Sequence, residues 1–461
     1  MGARAQRIRK FLAGRFSGEG IGARQVAGIL APVFVDQAFI VCIGFLNTAM
    51  ISSSGVNAVS AVSMVDSLNI FLVNVFVAVA TGGTVVVAQY KGSGNDRMVS
   101  KAAAGALSAV FLLAAGIGAF VAALHGPTLA VLFGNADADV LDKARLYLIG
   151  SGISYPGVAV TEAVCGALRG VGETRTSLFL SLVNNVSYVL LNFLFITRMH
   201  LGVGGMTLAL NLSRWLSALA SVLYLIRADT VLNFRPMDSL RFDPAMLKRV
   251  FLVGIPFAAE QMFFNGGKIL TQTFIVDLGT YAIAVNAVCN SVIQLPQIPA
   301  NAIIFGGVTV VGQCIGRKNI PDARKFIRSF VALSTVSFAV AAALLYPALD
   351  PLTGLFSPPP AIVPTIRRIL VMTLLFQIPL WSVSFTTPSL LRAAGDAKFT
   401  SLISMLSMWL FRVVLGYVLG LHTPLGVFGV WLAMDCEWGV RALVFHFRFR
   451  GDKWYRHNLI A

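Results

Sequence analysis

The chain has 461 residues, of which 57% are hydrophobic and only 12% are charged. Its mean hydropathy of +0.78 is too high for a water-soluble globule, so the composition excludes a soluble protein and indicates an integral membrane protein. The formal net charge of +16 does not point to nucleic acid, because the basic residues stand in short segments between apolar runs, where they orient a membrane protein.

In chain order, a basic segment at 1–25 is expected to form a cytoplasmic tail. Twelve apolar runs are then long enough to cross a bilayer. Six of them form an N-terminal lobe over 26–226, at about 27–52, 58–88, 102–124, 146–167, 177–196 and 202–226. A polar linker at 227–249 precedes a C-terminal lobe over 250–447 and a cytoplasmic tail at 448–461. The spans of this second lobe lie at about 250–276, 282–311, 326–345, 366–390, 401–421 and 425–447.

The predicted fold class is therefore an all-α integral membrane protein with twelve transmembrane helices. Basic residues are concentrated in the connections that follow even-numbered spans, among them Arg169, Arg175, Arg392 and Lys398. This asymmetry places both termini in the cytoplasm, and we expect the protein in the plasma (inner) membrane. The two prolines Pro296 and Pro299 should distort the eighth span more than the second, since proline removes a helical hydrogen bond.

The two halves repeat each other without a gap at an offset of 224 residues over a long stretch. The matching pairs are Pro32 with Pro256, Asp36 with Glu260, Gln37 with Gln261, and Gly82 with Gly306. Further on, LRGVGETRTS from Leu168 matches LRAAGDAKFTS from Leu391 at an offset of 223. An even number of spans in each half makes these parallel repeats, related by an axis along the membrane normal.

A proline early in the first span of each half, GTVVVAQYKGSGN and GVTVVGQCIGRKN at the ends of the second and eighth spans, and LRGVGET with LRAAGDA carry a family resemblance. From about residue 22 to 448 the chain resembles the multidrug and toxic compound extrusion (MATE) family. The resemblance implies a V-shaped pair of six-helix lobes around a cavity that opens alternately to the two sides. It also implies export of small organic, often cationic, compounds, driven by influx of protons or sodium ions.

Asp36 and Glu260 are the strongest candidates for ion coupling, because they occupy the same repeat position within apolar spans. A carboxyl group away from water can bind and release a proton near neutral pH, as a proton antiporter requires. A carboxylate that only holds helices together by hydrogen bonds fits the pattern as well.

Asn47 shares a helix face with Asp36, about 16 Å along the helix axis. The MATE resemblance implies an ion-binding aspartate at this position, where the present chain has asparagine, and the tenth span contains no aspartate. The sodium sites implied by the family are thus incomplete, so we expect coupling to protons rather than to sodium ions.

Several polar residues within the spans are candidates to line a substrate cavity: Gln37, Gln261, Lys268, Glu162, Asn184 and Asn192. Lys268 could instead be a salt-bridge partner of Glu260 or Asp36, and an unpaired lysine would disfavour cationic compounds. In the last span, Glu437 and Arg441 stand at i,i+4 and should neutralise each other. We expect small organic substrates and membrane lipids as partners, no nucleic acid, and a monomer.

The five cysteines form no CxxC pair and lie in apolar segments, which favours packing over disulfides or zinc ligation. No cofactor is expected besides the coupling ion, H⁺ or Na⁺. An enzyme is disfavoured because the chain contains no HExxH, GxSxG or P-loop motif. The alternative function is a flippase for a lipid-linked precursor. Flippases of the wider superfamily resemble this fold, but they commonly have fourteen helices and a strongly basic cavity.

Overall fold

The computed structural model describes residues 14–52, 55–133, 137–227, 231–232, 234, 243–356, 358–457 and 459–460, without the side chains of 44–45, 47–49, 52, 56 and 131–133. Over this part of the chain the structure is helical throughout, and no β-strand occurs in it. Buried aliphatic side chains hold the helices together, as the composition predicts.

In the described residues, the first half contains seven helices of at least eight residues. They are α1 (Ala23–Ser52), α2 (Val56–Gly92), α3 (Asp96–Ala123), α4 (His125–Phe133), α5 (Ala138–Val171), α6 (Thr174–Asn192) and α7 (Gly202–Arg227). A π-helical turn, Phe193–Arg198, continues α6. The short helix α4 was not predicted, and α5 begins several residues before the predicted fourth span.

The second half contains nine helices in the described residues. They are α8 (Pro244–Asp277), α9 (Thr280–Ile293), α10 (Gln297–Gly316), α11 (Ile320–Gly354), α12 (Val363–Phe376), α13 (Thr387–Ala393), α14 (Ala397–Ser407), α15 (Gly416–Leu421) and α16 (Val427–Arg450). The π-helical segment Gln377–Thr386 joins α12 to α13, and Met408–Leu415 joins α14 to α15. Each predicted span therefore coincides with one helix or with consecutive helical segments.

Ten helical segments in the described ranges are long and apolar enough to cross a membrane. α8 and α16 bring this number to the predicted twelve, although both carry ionisable residues within their length. The predicted fold class is confirmed. The seventh span, however, begins at Pro244 rather than near 250, so the helix takes up the end of the predicted linker.

The eighth span is broken, whereas the second is continuous. α9 ends at Ile293 and α10 begins at Gln297, while α2 runs without interruption. Pro296 precedes the first residue of α10 and cannot donate a backbone hydrogen bond. Buried Gln377 compensates for the break, since its Nε2 donates to the carbonyl of Ile293 at 3.3 Å. The predicted distortion of this span is thus confirmed.

Two compact units divide the chain. The N-terminal unit comprises Ala31–Ala258, and the C-terminal unit comprises Ala259–Leu459 together with the chain up to Leu30. The division therefore runs within α1 and within α8, whereas the lobe boundaries predicted from the sequence lay between spans.

Paired glycines of the repeat lie where helices approach closely inside each unit. In the N-terminal unit, a Cβ on Gly82 of α2 would lie 2.7 Å from the carbonyl oxygen of Val250 in α8. In the C-terminal unit, a Cβ on Gly306 of α10 would lie 2.6 Å from the side chain of Leu30 in α1. Larger residues would push these helices apart, which explains why both repeats have glycine here.

Candidate functional site

A buried ion pair joins α8 to α13 in the C-terminal unit. The Glu260 Oε2 and Arg392 Nη1 atoms are 2.5 Å apart, and each side chain is only 7% exposed. Arg392 also donates from Nη2 to the hydroxyl of Ser389 at 2.9 Å. A buried carboxylate and guanidinium in this geometry neutralise each other, and the loss of either leaves an uncompensated charge.

The sequence placed Arg392 in the cytoplasmic connection after the tenth span, whereas the structure has it in the last turn of α13. The helix continues to Ala393, and the chain turns only at Gly395, whose φ of 97° suits glycine. Arg169 in the first half has the same placement, near the end of α5 and before Gly172 with a φ of 96°. Both arginines thus lie near the ends of helices and form ion pairs, of which that of Arg392 is buried and that of Arg169 is half-buried.

Asp36 of α1 is buried, with 6% of its surface exposed. Its carboxylate accepts a hydrogen bond from the hydroxyl of Ser181 in α6 and lies within electrostatic range of the Arg169 guanidinium in α5. Arg169 also faces Glu162, with 3.6 Å between Nη2 and Oε2, and the charges of Glu162 and Asp36 act on each other. We call Asp36, Glu162 and Arg169 the acid cluster.

The acid cluster and the Glu260–Arg392 pair occupy equivalent positions of the repeat but differ in charge. The residue equivalent to Glu162 in the second half is Phe385, which stacks on Trp381 at a centroid distance of 4.8 Å. One arginine therefore faces two carboxylates in the N-terminal unit and one in the C-terminal unit. Fully ionised, the acid cluster has one uncompensated negative charge, which one proton would neutralise. Its members differ in burial, because the Glu162 side chain is 31% exposed and that of Arg169 is 12% exposed.

A cavity of about 430 Å³ lies in the N-terminal unit, lined by Asp66, Tyr147, Tyr188 and Arg214 among others. The Tyr147 hydroxyl donates to Asp66 at 2.9 Å, and Arg214 Nη1 donates to Ser154 at 2.7 Å. The cavity thus contains one acid and one base, each held by a hydrogen bond.

Asn192 does not line this cavity but lies next to a residue that does. Its side chain is fully buried and lies within hydrogen-bonding reach of Tyr188, which lines the cavity.

A second cavity of about 230 Å³ lies in the C-terminal unit. Lys268, Thr271 and Gln272 of α8, Asn286 and Asn290 of α9, Arg412, and Trp431 of α16 contribute to its lining. Lys268 Nζ lies 4.8 Å from the ring centre of Phe264. Of the residues predicted to line a cavity, Lys268 is the one that lines either of these two cavities.

Glu437 pairs with two arginines beside this second cavity. Arg441 Nη1 is 3.0 Å from Glu437 Oε1, so the predicted i,i+4 pair is confirmed. Arg412 Nε is 2.8 Å from Glu437 Oε2, a partner that the sequence did not reveal. Glu260, one of the two partners that the sequence allowed for Lys268, pairs with Arg392 instead.

The remaining candidates line neither cavity. Gln37, Gln261 and Asn184 are half-buried, and neither cavity is lined by them. The side chain of Asn47 lies outside the described part of the chain. The missed residues, Arg169 and Arg392, carried one signal in the sequence, since each follows a leucine at the same place in the duplicated turn.

The MatE family model matches the chain twice, over residues 32–194 and 256–418. The two matches begin 224 residues apart, at the offset found in the sequence, which confirms the duplication. The chain belongs to the MatE family.

Curated relatives of this MatE chain cover nearly all of it. The uncharacterized transporter YisQ of Bacillus subtilis (strain 168) is 25% identical over 433 residues, which are 93% of the present chain and 94% of YisQ. The probable multidrug resistance protein NorM of Listeria monocytogenes serovar 1/2a is 26% identical over 449 residues, with the same coverage of 93% and 94%.

Among solved structures, a MATE protein in complex with MaL6 matches with a TM-score of 0.84 and 17% identity, over 92% of the present chain and 95% of that chain. At this identity the likeness shows the fold alone. The fold of the MatE chain is thus that of MATE transporters.

Proposed function

We propose that this MatE protein is a secondary active antiporter that exports small organic compounds by alternating access and is driven by proton influx. The acid cluster is the observation that carries the proposal. Asp36 and Glu162 share one arginine within the span of the membrane, so the cluster is neutral only when it holds one proton.

Proton binding at the acid cluster would change the local charge from −1 to zero. A charge change of this kind biases any two-state element that places the cluster in different surroundings. The proton gradient then supplies the free energy for export, provided that the loaded and empty cluster favour different conformations. Glu260 takes a structural part in this proposal, because Arg392 compensates its charge fully.

Two observations support the substrate class. Relatives are named probable multidrug resistance proteins, and the N-terminal unit has a cavity of about 430 Å³ with tyrosines in its lining. This volume lies within the range of small-molecule sites. The basic residues of the connections support a location in the plasma membrane with both termini in the cytoplasm.

Accumulation assays in cells that lack their own drug pumps test the proposal. Cells that express the protein should retain less of at least one compound in a panel of an organic cation, a zwitterion and an organic anion. A protonophore should abolish the difference, whereas replacement of sodium by potassium should leave it unchanged.

Asp36→Asn should behave like the empty vector at equal expression. Export that depends on sodium and survives the protonophore would contradict the proposal. If no compound of the panel is exported while flipping of a lipid-linked precursor is restored, the flippase function is correct instead.

A further inference from the structure

Two cations of the C-terminal unit lie against the same aromatic ring. Lys268 Nζ is 4.8 Å and the Arg412 guanidinium carbon is 5.3 Å from the ring centre of Phe264. Both residues also line the cavity of about 230 Å³. The ring attracts each cation, so it holds two positive charges beside one small cavity.

The carboxylates nearby do not balance these charges. Glu437 is shared by Arg412 and Arg441, at 2.8 and 3.0 Å. Asp435 accepts from the hydroxyl of Thr373 at 3.3 Å, and Arg412 is the charge that acts on it. Three cations thus face two carboxylates, and the cluster has one surplus positive charge when all are ionised.

The surplus charge is located at Lys268. No carboxylate of the described residues lies within 4.0 Å of its ammonium group, and the nearest cation shown, Arg412, lies against the same Phe264 ring. An unbalanced ammonium group within a membrane protein is costly unless a wet cavity or an anion compensates it. The cavity that Lys268 lines provides the space for such an anion.

We propose that this cavity binds the carboxylate of an organic anion, with Lys268 as its main ligand. The lining also contains a neutral donor: Asn286 Nδ2 donates to Gln272 Oε1 at 2.9 Å, which leaves the NH₂ group of Gln272 free to donate. Trp431 provides an apolar wall. The volume is below that of a drug-sized site, so it accommodates a small carboxylic acid or the acidic end of a larger compound.

This inference rests on the proposed function as an exporter and specifies one class of its substrates. Organic cations, which the family resemblance implied, would meet two like charges here and be rejected. Compounds with a carboxylate, including zwitterions, would instead compensate the positive charge of Lys268.

Binding to the purified full-length protein in detergent micelles tests the inference. ¹⁹F saturation-transfer NMR with 4-fluorobenzoate should show binding, whereas the neutral isostere 4-fluorobenzamide should not. Lys268→Gln should weaken benzoate binding at least about tenfold, the effect of one lost charge-assisted hydrogen bond. Lys268→Arg should retain binding, which shows that the cavity persists when this position is substituted.

Equal binding of the acid and the amide, or unchanged benzoate binding by Lys268→Gln, would overturn the inference. Chloride binding without benzoate binding, or tighter binding of pyrophosphate than of benzoate, would refute the carboxylate assignment. Because the measurement needs no ion gradient, it can fail while proton-driven export holds, and the reverse.

Discussion

Glu260 and Arg392 form a buried ion pair with 2.5 Å between Oε2 and Nη1, and the repeat places Asp36 and Arg169 in the equivalent positions of the other half. The two pairs have diverged in charge, because Glu162 also faces Arg169. The N-terminal copy of this pair thus has one acid more than the C-terminal copy.

Loss of one partner of the Glu260–Arg392 pair should destabilise the protein more than loss of both partners. Arg392→Gln should lower the free energy of unfolding by about 3 kcal/mol or more, because Glu260 is left charged and buried. The double variant Glu260→Gln/Arg392→Gln should recover part of this loss. Thermal unfolding of the purified variants in detergent measures both effects.

An exposed ion pair provides the control for this cycle. Arg367 and Asp350 are 3.4 Å apart, and both side chains are more than half exposed. Arg367→Gln should change the stability by less than about 1 kcal/mol. Strict additivity of the two buried substitutions would show that Glu260 and Arg392 do not interact as described.

Gly82 should not tolerate a methyl group. Gly82→Ala places a Cβ within 2.8 Å of the backbone of both Val250 and Gly254, so α2 and α8 must separate, at a cost of about 1–3 kcal/mol. In Gly116→Ala, the matched control in α3, the Cβ has no neighbour within 4 Å. Thermal unfolding should therefore distinguish the variants, and equal midpoints would disprove the close approach of α2 and α8.

The cysteines should react in two classes. Cys42 and Cys436 are exposed, whereas the thiols of Cys165, Cys289 and Cys314 are buried. N-ethylmaleimide should therefore modify the first two in the folded protein and the other three only after denaturation in SDS. Peptide mass spectrometry gives the order, and early modification of Cys289 or Cys314 would be incompatible with the packing around α9 and α10.

The spans and the duplication could be predicted from the sequence because hydropathy and repeat offsets are properties of the chain alone. The break at Pro296 followed from local chemistry in the same way. The interior ion pairs did not, since Glu260 and Arg392 are separated by 132 positions and spacing does not reveal which helix faces meet. The second partner of Glu437 was missed for the same reason.

The π-helical segments could not be predicted either. Met408–Leu415 begins within apolar sequence without a distinctive breaker. Gln377–Thr386 contains Pro379, which predicts an interrupted helix but not a π-helical form. Their form depends on tertiary contacts, such as the hydrogen bond from Gln377 to Ile293. One such segment contains Arg412, so helical periodicity could not predict the cation-rich cavity.

The central claim is that the acid cluster carries the coupling proton. Its most direct test is substrate-induced proton movement in proteoliposomes with an internal pH-sensitive dye, in sodium-free buffer and with a substrate identified by the accumulation assays. Asp36→Asn and Glu162→Gln each remove the surplus acid, so they should abolish the proton signal. Wild type and the charge-neutral double variant Glu260→Gln/Arg392→Gln should retain it per folded protein. Persistence of the signal in Asp36→Asn, or its loss only in the Glu260→Gln/Arg392→Gln variant, would contradict the account.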